Sequence, residues 1–288
     1  MSRIAYVNGR YVPHGDAAVH VEDRGYQFAD GVYEVVTIFA GRLVDETPHL
    51  DRLDRSLREL SIDPPMRRSA LRQVMREVVR RNRIRNGLLY MQVTRGVARR
   101  NHAFPGPRVR PALVLTARPV RLPVAADIED GVRIVTIPDI RWARRDIKSV
   151  SLLPNVLGKQ AAVEQGAFEA WMVDADGDVT EGTSSNAWIV TRDDTLLTRP
   201  AGHEILTGVT RQAILSVARE NGMKFEERAF SVSEACEARE AFLSSATSFV
   251  MPVTQINDRV IANGKPGSLT RALRQHYLDH VKTMLKIA

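Results

Sequence analysis

The segment Asp146-Ile147-Lys148-Ser149-Val150-Ser151-Leu152-Leu153-Pro154-Asn155 contains one of only six lysines in the chain. Lys148 stands directly before an apolar patch and before a helix that we expect Asn155 to open. A lysine amine close to apolar side chains gives up its proton more readily, and the neutral amine can form a Schiff base or accept a proton. An isolated lysine is more often a solvated surface charge, so Lys148 by itself indicates no function.

Upstream of this segment, the sequence predicts a mixed lobe of strands and helices. Asn8-Gly9 between alternating residues is a strong hairpin signal, and the stretch from Gly31 to Phe39 is rich in β-branched residues, which favour strands. Leucines then recur every three or four residues from Leu50 to Leu60, behind Thr47 as N-cap and Pro48 at the first helical position. Strands are predicted at residues 4–7, 10–12, 31–39, 42–44, 88–95 and 112–117, and helices at 48–60 and 69–82.

Two lobes are predicted, joined by the segment from Arg118 to Pro123. That segment contains prolines and shows no periodicity, which is typical of a linker. It separates an N-terminal α+β domain of residues 1–117 from a C-terminal α/β domain of residues 124–288. In the second lobe, strands are predicted at 132–137, 169–173 and 187–191, and helices at 155–165, 210–220 and 268–286. The predicted fold class is therefore a two-lobed α/β protein.

The composition is that of an ordinary globular protein. Hydrophobic residues make up 44% and charged residues 26% of the 288 positions, values that favour neither a disordered nor a membrane class. No apolar run approaches the ~20 residues of a membrane span, and the start from Met1 to Arg10 lacks the apolar core of a secretion signal. Cys236 is the single cysteine, so an internal disulfide and cysteine-based metal chemistry are excluded. We therefore expect a cytoplasmic protein with neither a metal nor a membrane partner.

The formal net charge of +7 is unevenly distributed. Between Arg67 and Arg110 the chain carries thirteen arginines and a single acidic residue, Glu77. In one interpretation they form the solvated face of an amphipathic helix, because four recur at helical spacing: Arg72, Arg76, Arg80 and Arg83. In the other they bind phosphates, as in a basic RNA-associated protein without catalysis. Because no aromatic residue interleaves with the helical arginines to stack bases, we expect no nucleic-acid partner; the RNA alternative predicts salt-sensitive binding that does not need Lys148.

Two further segments carry residues suited to binding a ligand. Glu181 stands among hydroxyl residues in the stretch from Val179 to Asn186, a composition that is also typical of an exposed polar loop. The stretch from Leu206 to Arg211 passes from a loop into a helix. Its Gly208 lets the backbone come close to a ligand, and the amides of a first helical turn favour a phosphate. It is neither a Walker nor a dinucleotide fingerprint, and an ordinary helix start would look the same.

Five motifs, in this order and over nearly the whole chain, resemble those of the fold-type IV pyridoxal-phosphate-dependent aminotransferases. The Lys148 segment resembles the family's Schiff-base lysine segment, and the Glu181 segment lies at the spacing of its pyridine-binding glutamate. The segment around Gly208 resembles its phosphate-binding helix. The five motifs are Phe28–Glu34, His49–Leu53, Asp146–Gln160, Thr180–Asn186 and Ile205–Arg211. The resemblance implies a two-lobed fold with the cofactor in the cleft between the lobes.

The resemblance also implies roles for individual residues. Lys148 would hold pyridoxal 5′-phosphate covalently and act as general base and acid, and Glu181 would pair with the pyridine nitrogen and keep it protonated. Arg52 would bind the phosphate through charge-assisted hydrogen bonds, and Leu206 would lie against the cofactor ring. The rest of the phosphate site would be formed by Val209, Thr210, Ala246 and Thr247. Since Ala246 stands where related enzymes often have threonine, we expect one side-chain contact to the phosphate to be missing.

The stretch Arg99-Arg100-Asn101-His102 resembles the substrate-binding pair of the bacterial D-amino acid (D-alanine) aminotransferases. Together with Tyr33, Arg100 and His102 would bind the substrate carboxylate, because a planar guanidinium matches a carboxylate and the other two side chains add donors. The resemblance implies transamination of a D-amino acid with a 2-oxo acid such as 2-oxoglutarate or pyruvate. It also implies a homodimer in which partner loops reach the active site. The alternatives on the same scaffold are a branched-chain L-amino acid aminotransferase and an aminodeoxychorismate lyase.

Overall fold

The computed structural model describes residues 3–106, 109–122 and 128–287. The chain divides into two compact units: Met1–Leu122 with Ile147–Ser151, and Pro123–Asp146 with Leu152–Ala288. The segment that carries Lys148 therefore belongs to the first unit, although it lies in the second half of the sequence. The predicted domain limits, 1–117 and 124–288, stay a prediction, and Pro123 at the end of the predicted linker lies outside the described residues.

The first unit combines an antiparallel sheet with helices, as its alternating sequence periods predict. The sheet has six strands in the order β2-β1-β6-β5-β3-β4. Its strands are β1 (Ile4–Val7), β2 (Arg10–Pro13), β3 (Gly31–Phe39), β4 (Arg42–Leu43), β5 (Gly87–Thr94) and β6 (Ala112–Pro119). Its helices are α1 (Arg24–Phe28), α2 (Glu46–Glu59) and α3 (Arg68–Asn82).

The predicted N-terminal hairpin is confirmed. Asn8 and Gly9 have φ of 45° and 96°, and Val7 pairs with Arg10, which is the geometry that makes Asn-Gly favourable in a two-residue turn. The strand predicted at 112–117 is longer than expected. It continues to Pro119, because Arg118 and Pro119 still pair with the beginning of β5. The first two residues of the predicted linker therefore belong to the sheet.

Helix α2 covers the sheet with the leucines that its period predicts. Leu50, Leu53 and Leu57 are each 1% exposed and belong to the core of the first unit. The predicted N-cap, Thr47, was wrong: the helix begins at Glu46, and the capping residue is Asp45 in the left-handed region. The Thr47 hydroxyl instead accepts a hydrogen bond from Arg72 at 2.7 Å.

The arginines of α3 lie on a solvated face, as the helical interpretation predicts. The opposite side of α3 is buried through Leu71, Met75, Val78 and Val79. Several of the arginines pair with carboxylates of the same unit: Arg68 with Asp51, Arg72 and Arg76 with Glu46, and Arg80 and Arg81 with Glu77. Much of this charge is thus balanced inside the chain.

The second unit is built on a mixed sheet of nine strands. Along the sheet the order is β12-β11-β10-β13-β14-β7-β8-β9, with β15 beside β14. The strands are β7 (Val132–Pro138), β8 (Glu169–Val173), β9 (Val179–Gly182), β10 (Asn186–Val190), β11 (Leu196–Thr198), β12 (Phe225–Glu227), β13 (Glu240–Ser245), β14 (Phe249–Ile256) and β15 (Arg259–Val260). The helices are α4 (Leu153–Glu164), α5 (Val209–Glu220), α6 (Val232–Glu237) and α7 (Ser268–Leu285).

The second sheet curls. β9 is the last strand in the order and β10 lies several strands away along it, yet the two strands are in contact. The two strands nevertheless follow each other after a tight turn, in which Gly182 N–H donates to Ser185 C=O at 2.7 Å. The side chains of Glu181 on β9 and Asn186 on β10 are hydrogen-bonded at 3.0 Å. Curling therefore brings two polar residues of the predicted cofactor motif together.

Helix α7 has its first turn capped by a carboxylate from the sheet. Glu240 on β13 accepts hydrogen bonds from Leu269 N–H at 3.0 Å and Thr270 N–H at 2.7 Å. A side chain at Gly267 would overlap Glu240, so the close approach requires glycine there. Of the helices in the described part of the chain, none is both long and apolar enough to span a membrane.

Candidate active site

Lys148 lies on a short extended segment that pairs with the first strand residues of β3. Tyr33 N–H donates to Lys148 C=O at 3.0 Å, and Val150 N–H donates to Gly31 C=O at 3.0 Å. Lys148 N–H donates to the hydroxyl of Ser56 on α2 at 3.3 Å. The backbone of the lysine is thus fixed on two sides, and its side chain is half-buried.

The Lys148 side chain lies against Tyr33, another of the predicted site residues. Its Nζ is 4.2 Å from the centroid of the Tyr33 ring. That ring stacks on Tyr90 at 5.7 Å, and the Tyr90 hydroxyl donates to Gln92 Oε1 at 2.6 Å. Burial, with a smaller contribution from Tyr33, raises the pKa of Tyr90 to about 12. Tyr90 is therefore a neutral hydrogen-bond donor at physiological pH.

Arg52, the predicted phosphate ligand of the first unit, forms a bidentate pair with Glu34. Its Nε and Nη2 donate to the two carboxylate oxygens at 2.8 Å each, and His49 Nδ1 lies 2.7 Å from Oε2. Glu34 is fully buried. Burial raises the pKa of Glu34, but Arg52 and His49 outweigh that effect and lower it to about 2. The carboxylate is therefore ionised and fixes the direction of the Arg52 guanidinium.

Glu181, the predicted partner of the pyridine nitrogen, is buried at the end of β9 and accepts hydrogen bonds from three groups. Asn186 Nδ2 donates to Oε2 at 3.0 Å, Leu206 N–H donates to Oε1 at 3.0 Å, and Arg141 Nη1 donates to Oε1. Asn186 also donates to Leu206 C=O at 3.0 Å, so Leu206 is held to both strand residues. The structure thus brings Glu181 and Leu206 together, as predicted for the same site.

Arg141 connects Glu181 to a second buried carboxylate, Asp139. Arg141 donates to Asp139 through Nε at 3.0 Å and Nη2 at 2.7 Å. Asp139 also accepts from the Thr180 hydroxyl at 2.8 Å and lies 3.3 Å from Arg145 Nε. Burial lowers the pKa of Arg141, but Glu181 and Asp139 reverse this and raise it above its ordinary value. The Glu181 carboxylate is thereby anchored to a guanidinium that stays charged.

The start of α5 lies close to Asn186. A side chain at Gly208 would overlap the Asn186 amide oxygen, so only glycine allows this approach. Val209 and Thr210 begin the helix and are each 4% exposed. Because the first amides of a helix have no acceptor within it, this end of α5 is suited to an anion.

The loop between β13 and β14 carries the other residues predicted at the phosphate. The Ser245 hydroxyl lies 3.0 Å from that of Thr247 and 2.7 Å from that of Ser248. The buried Arg274 of α7 donates to Ser248 C=O at 3.1 Å and to Val250 C=O at 2.7 Å. Thr247 is exposed and Ala246 is half-buried. The loop therefore offers hydroxyl groups on a backbone that a buried arginine supports.

Arg100 and His102 lie together on an exposed loop of the first unit. Both contact the ring of Phe28 on α1: the Arg100 Cζ is 4.5 Å and the His102 ring 5.3 Å from its centroid. Among the predicted site residues that bind the cofactor ring or the substrate, three pairs lie together, namely Lys148 with Tyr33, Arg100 with His102, and Glu181 with Leu206. Arg52 belongs to the first unit, whereas the other predicted phosphate-binding residues belong to the second.

Residues 31–256 match the model of a protein family described as Amino-transferase class IV. The chain belongs to this family. The family predicted from the five motifs is therefore confirmed, and the RNA-associated alternative without catalysis is not supported.

Relatives within the family are similar over nearly the full length. A D-alanine aminotransferase of Bacillus licheniformis is 43% identical over 264 residues, covering 92% of this chain and 92% of its own. A D-alanine aminotransferase of Staphylococcus haemolyticus is 38% identical over 279 residues, covering 96% and 98%. Among solved structures, a branched-chain amino acid aminotransferase from Escherichia coli has a TM-score of 0.87 at 22% identity, covering 98% of this chain and 95% of that chain. This last likeness shows the shared fold.

Two residues that contact the candidate site were missed by sequence reasoning. Asp139 and Arg141 follow directly after β7, and their contacts reach Thr180 and Glu181, about forty positions away. The available signal was an acidic and a basic residue just beyond the end of a buried strand, where ligand sites of α/β sheets commonly form. That signal does not identify which carboxylate the arginine binds.

Proposed function

We propose that this chain is a pyridoxal-phosphate-dependent aminotransferase that transfers the amine of a D-amino acid, of the D-alanine type, to a 2-oxo acid. 2-Oxoglutarate and pyruvate are the acceptors we would test first. The observation that carries the proposal is the near-full-length identity of 43% and 38% to two D-alanine aminotransferases. The local contacts of Lys148 with Tyr33, of Glu181 with Leu206, and of Arg100 and His102 with Phe28 support it within each unit.

The chemistry of the available donors fits pyridoxal phosphate. Lys148 offers a primary amine for the aldehyde, and Glu181, paired with Arg141, offers a carboxylate for the pyridine nitrogen. Because Arg141, Leu206 N–H and Asn186 fix the carboxylate in a buried place, it is oriented before the cofactor binds. When bound, the cofactor acts as an electron sink for the pair left by the departing α-proton. In this proposal Leu206 also lies against the cofactor ring.

For the phosphate, we assign the first turn of α5 and the loop after β13. Val209 and Thr210 supply helix amides, Ala246 supplies a backbone amide, and Thr247 supplies a hydroxyl. Arg52 is assigned as the cation, with its guanidinium directed by Glu34. A dianionic phosphate needs several donors at once, and this set combines charge, dipole and hydroxyl groups.

On the substrate, we assign carboxylate binding to Arg100 and His102 with Tyr33. Binding the carboxylate on one side decides on which face of the substrate the α-hydrogen lies. Lys148 Nζ removes that proton once the Lys148 amine is free. Tyr33 contacts Lys148 Nζ, so the same phenol can touch both the substrate and the base. A carboxylate held on one side is a means by which such a site can prefer one enantiomer, and the identity to D-alanine aminotransferases supports the D-enantiomer.

The visible absorption of the purified protein with pyridoxal phosphate tests the proposal. We expect a band from the bound cofactor that D-alanine removes, with formation of pyruvate, and that L-alanine leaves in place. Lys148→Ala should abolish both the band and the reaction. Lys265→Ala, at a lysine whose side chain is 65% exposed, should change neither. After borohydride reduction, the pyridoxyl group should be found on the peptide that contains Lys148.

The same experiment separates the alternatives. If only L-amino acids removed the band, the chain would be an L-specific member such as a branched-chain aminotransferase. If aminodeoxychorismate were cleaved without any 2-oxo acid, it would be a lyase. A protein that never acquired the band would contradict the cofactor assignment and with it the proposed function.

We also propose that the chain forms a homodimer. Helix α4 packs Gly158 and Ala162 inwards, and its outer side exposes Leu153, Val156 and Leu157 by 69%, 59% and 54%. A helix that is apolar on both sides is normally buried, so a second copy of the chain is the expected cover. The loop of Arg100 and His102 is exposed in a single chain, which suits residues that complete a partner's site.

The mass in solution tests the dimer. Light scattering after gel filtration should give about twice the chain mass of 32.2 kDa. Replacing Val156 and Leu157 by lysine should shift the mass towards one chain. The matched variant, with lysine at the exposed positions Gln275 and Asp279 of α7, a different helix, should remain dimeric. A wild-type mass of one chain would contradict the proposal.

A cytoplasmic location is proposed on the chemistry of the single cysteine. Cys236 is buried, and burial raises the pKa of its thiol. A fold without disulfide bonds has no need of an oxidising compartment. We propose no nucleic-acid partner, since arginines of α3 are paired with carboxylates of their own unit. Cell fractionation, with binding to RNA at two salt concentrations, tests both statements.

A further inference from the structure

Arg24 on α1 holds the loop that carries Arg100 and His102. Its side chain is nearly fully buried, with 3% of the residue exposed. The guanidinium donates to carbonyl groups of three consecutive loop residues: Nη1 to Asn101 at 2.6 Å and to Ala103 at 3.4 Å, and Nη2 to His102 at 3.4 Å. One side chain therefore fixes the backbone on which the proposed carboxylate ligands stand.

The position of Arg24 is itself fixed by Asp30. Arg24 Nε donates to Asp30 Oδ2 at 2.7 Å, and Arg95 donates to the same carboxylate at 2.7 and 3.0 Å. Arg24 N–H also donates to Gly96 C=O at 2.9 Å. Burial raises the pKa of Asp30, but Arg95 and Arg24 outweigh this and hold it below its ordinary value. An ionised carboxylate thus orients the guanidinium towards the loop.

Phe28, one turn along α1, extends the same support to the side chains. Its ring lies 4.8 Å from Arg24 Cζ, 4.5 Å from Arg100 Cζ and 5.3 Å from the His102 ring. Cations are attracted to the face of an aromatic ring, and this attraction persists where the site is exposed. Arg24 and Phe28 therefore set the backbone and the side-chain positions of one loop from a single helix.

We propose that Arg24 is a positioning residue that sets substrate affinity and enantiomer preference by holding the Arg100–His102 loop. The proposal rests on the proposed function, in which Arg100 and His102 bind the substrate carboxylate. Arg24 reaches the loop through carbonyl groups and therefore acts through the two residues rather than on the substrate. A displacement of about 1 Å in such ligands is enough to weaken binding strongly.

The matched variants are Arg24→Lys and Arg133→Lys. Each keeps the positive charge and loses a guanidinium that donates to carbonyl groups. For Arg24 these carbonyls belong to residues 101–103, whereas for Arg133 they belong to Asn257 and Gln165, at 3.2 and 2.5 Å. Arg95 is unsuited as the control, because its Cζ lies 3.6 Å from the ring centroid of Phe104 in the same loop. The two variants thus share the loss of a guanidinium and differ in the segment that is released.

For Arg24→Lys we expect KM for D-alanine to rise about tenfold, with kcat changed less than about threefold, since the lost interaction acts on binding. The ratio of D- to L-alanine reactivity should fall. For Arg133→Lys, KM should stay within about twofold. In hydrogen–deuterium exchange, the peptide that contains residues 99–104 should exchange faster in Arg24→Lys than in Arg133→Lys.

Equal KM values and equal exchange for the two variants would overturn the role of Arg24 while leaving the proposed function intact. Wild-type protein that does not react with D-alanine would remove the proposed function itself, and loop exchange would still test the positioning. If Arg24→Lys does not fold, Phe28→Leu serves in its place, because it leaves Asp30 and its arginines unchanged. We expect Phe28→Leu to raise KM about threefold, and an unchanged KM there would overturn the proposal.

Discussion

Glu181 and the Arg100–His102 loop are two parts of the proposed site that are held in contrasting ways. Glu181 is 4% exposed on a strand and is bound by Arg141, Asn186 and Leu206 N–H, with Asp139 behind Arg141. The loop of Arg100 is exposed, and its described contacts come from Arg24 and Phe28 on a five-residue helix and from Arg95, whose Cζ lies 3.6 Å from the Phe104 ring centroid. The first part is buried in a network of charges, and the second is held at an exposed position by a few side chains.

This contrast corresponds to two different demands on the site. A carboxylate at the pyridine nitrogen must stay ionised and oriented for every substrate. Burying its charge costs solvation free energy, and the hydrogen-bonding groups around the carboxylate offset that cost only while all of them are present. A loop that selects substrates must admit and release them, which requires access to solvent. Substitutions in the two parts should therefore give opposite kinetic signatures.

Glu181→Gln is the substitution with the largest expected effect on this comparison. A neutral amide would no longer keep the pyridine nitrogen protonated, and Arg141 would lose one of its two buried carboxylate partners. We expect the rate of the D-alanine half-reaction to fall about 100-fold or more, with little change in substrate affinity. Stopped-flow absorbance measures both quantities.

Glu237→Gln is the control for this measurement, because it changes an exposed glutamate at the end of α6. Its half-reaction rate should equal that of the wild type. A Glu181→Gln variant that kept at least half of the wild-type rate would show that Glu181 is not the partner of the pyridine nitrogen.

Arg100→Lys should show the reverse signature and a smaller effect. A lysine keeps the charge but loses the planar fork that matches a carboxylate, so KM for D-alanine should rise about 10- to 100-fold while kcat is largely retained. Steady-state kinetics with D-alanine and L-alanine measures the change. Arg99→Lys, at the neighbouring exposed arginine, is the matched control. If both variants behaved alike, the carboxylate would be bound elsewhere.

The sequence predicted the elements whose buried faces have a clear period. β3 and β8 have the predicted bounds, and α3 begins one residue earlier than expected. Helix α1 gave no signal, since five residues are too few to show an amphipathic period. The cap of α2 was predicted wrongly because a local preference for Thr47 was overridden by a left-handed Asp45 at the end of the preceding turn.

Of the candidate site, the sequence predicted side chains with a family motif and missed those that act through the fold. Lys148 with Tyr33, and Glu181 with Leu206, were named in advance and lie together in the structure. Arg24 binds carbonyl groups almost eighty positions away, and a carbonyl group is common to all residues. No residue type marks such an acceptor, so only the folded backbone reveals the contact.

Replacing Glu34 is the substitution with the smallest expected effect. It adds a third case to the comparison, a fully buried carboxylate that directs the Arg52 side chain. Because the pKa of Glu34 is lowered from 4.5 to about 2, the folded state binds its proton less readily than the unfolded state. Its contribution to stability is therefore complete above about pH 4.5 and is lost as the pH falls towards 2.

We expect Glu34→Gln to lower the free energy of unfolding by about 1.5 kcal/mol at pH 7, roughly a tenfold change in the equilibrium constant. In urea titrations at pH 7, 4.5 and 3, the difference between wild type and variant should be nearly the same at the first two pH values and smaller at pH 3. A difference that stayed constant over this range would mean that Arg52 and His49 do not stabilise the ionised form, and Arg52 would then be directed by packing alone.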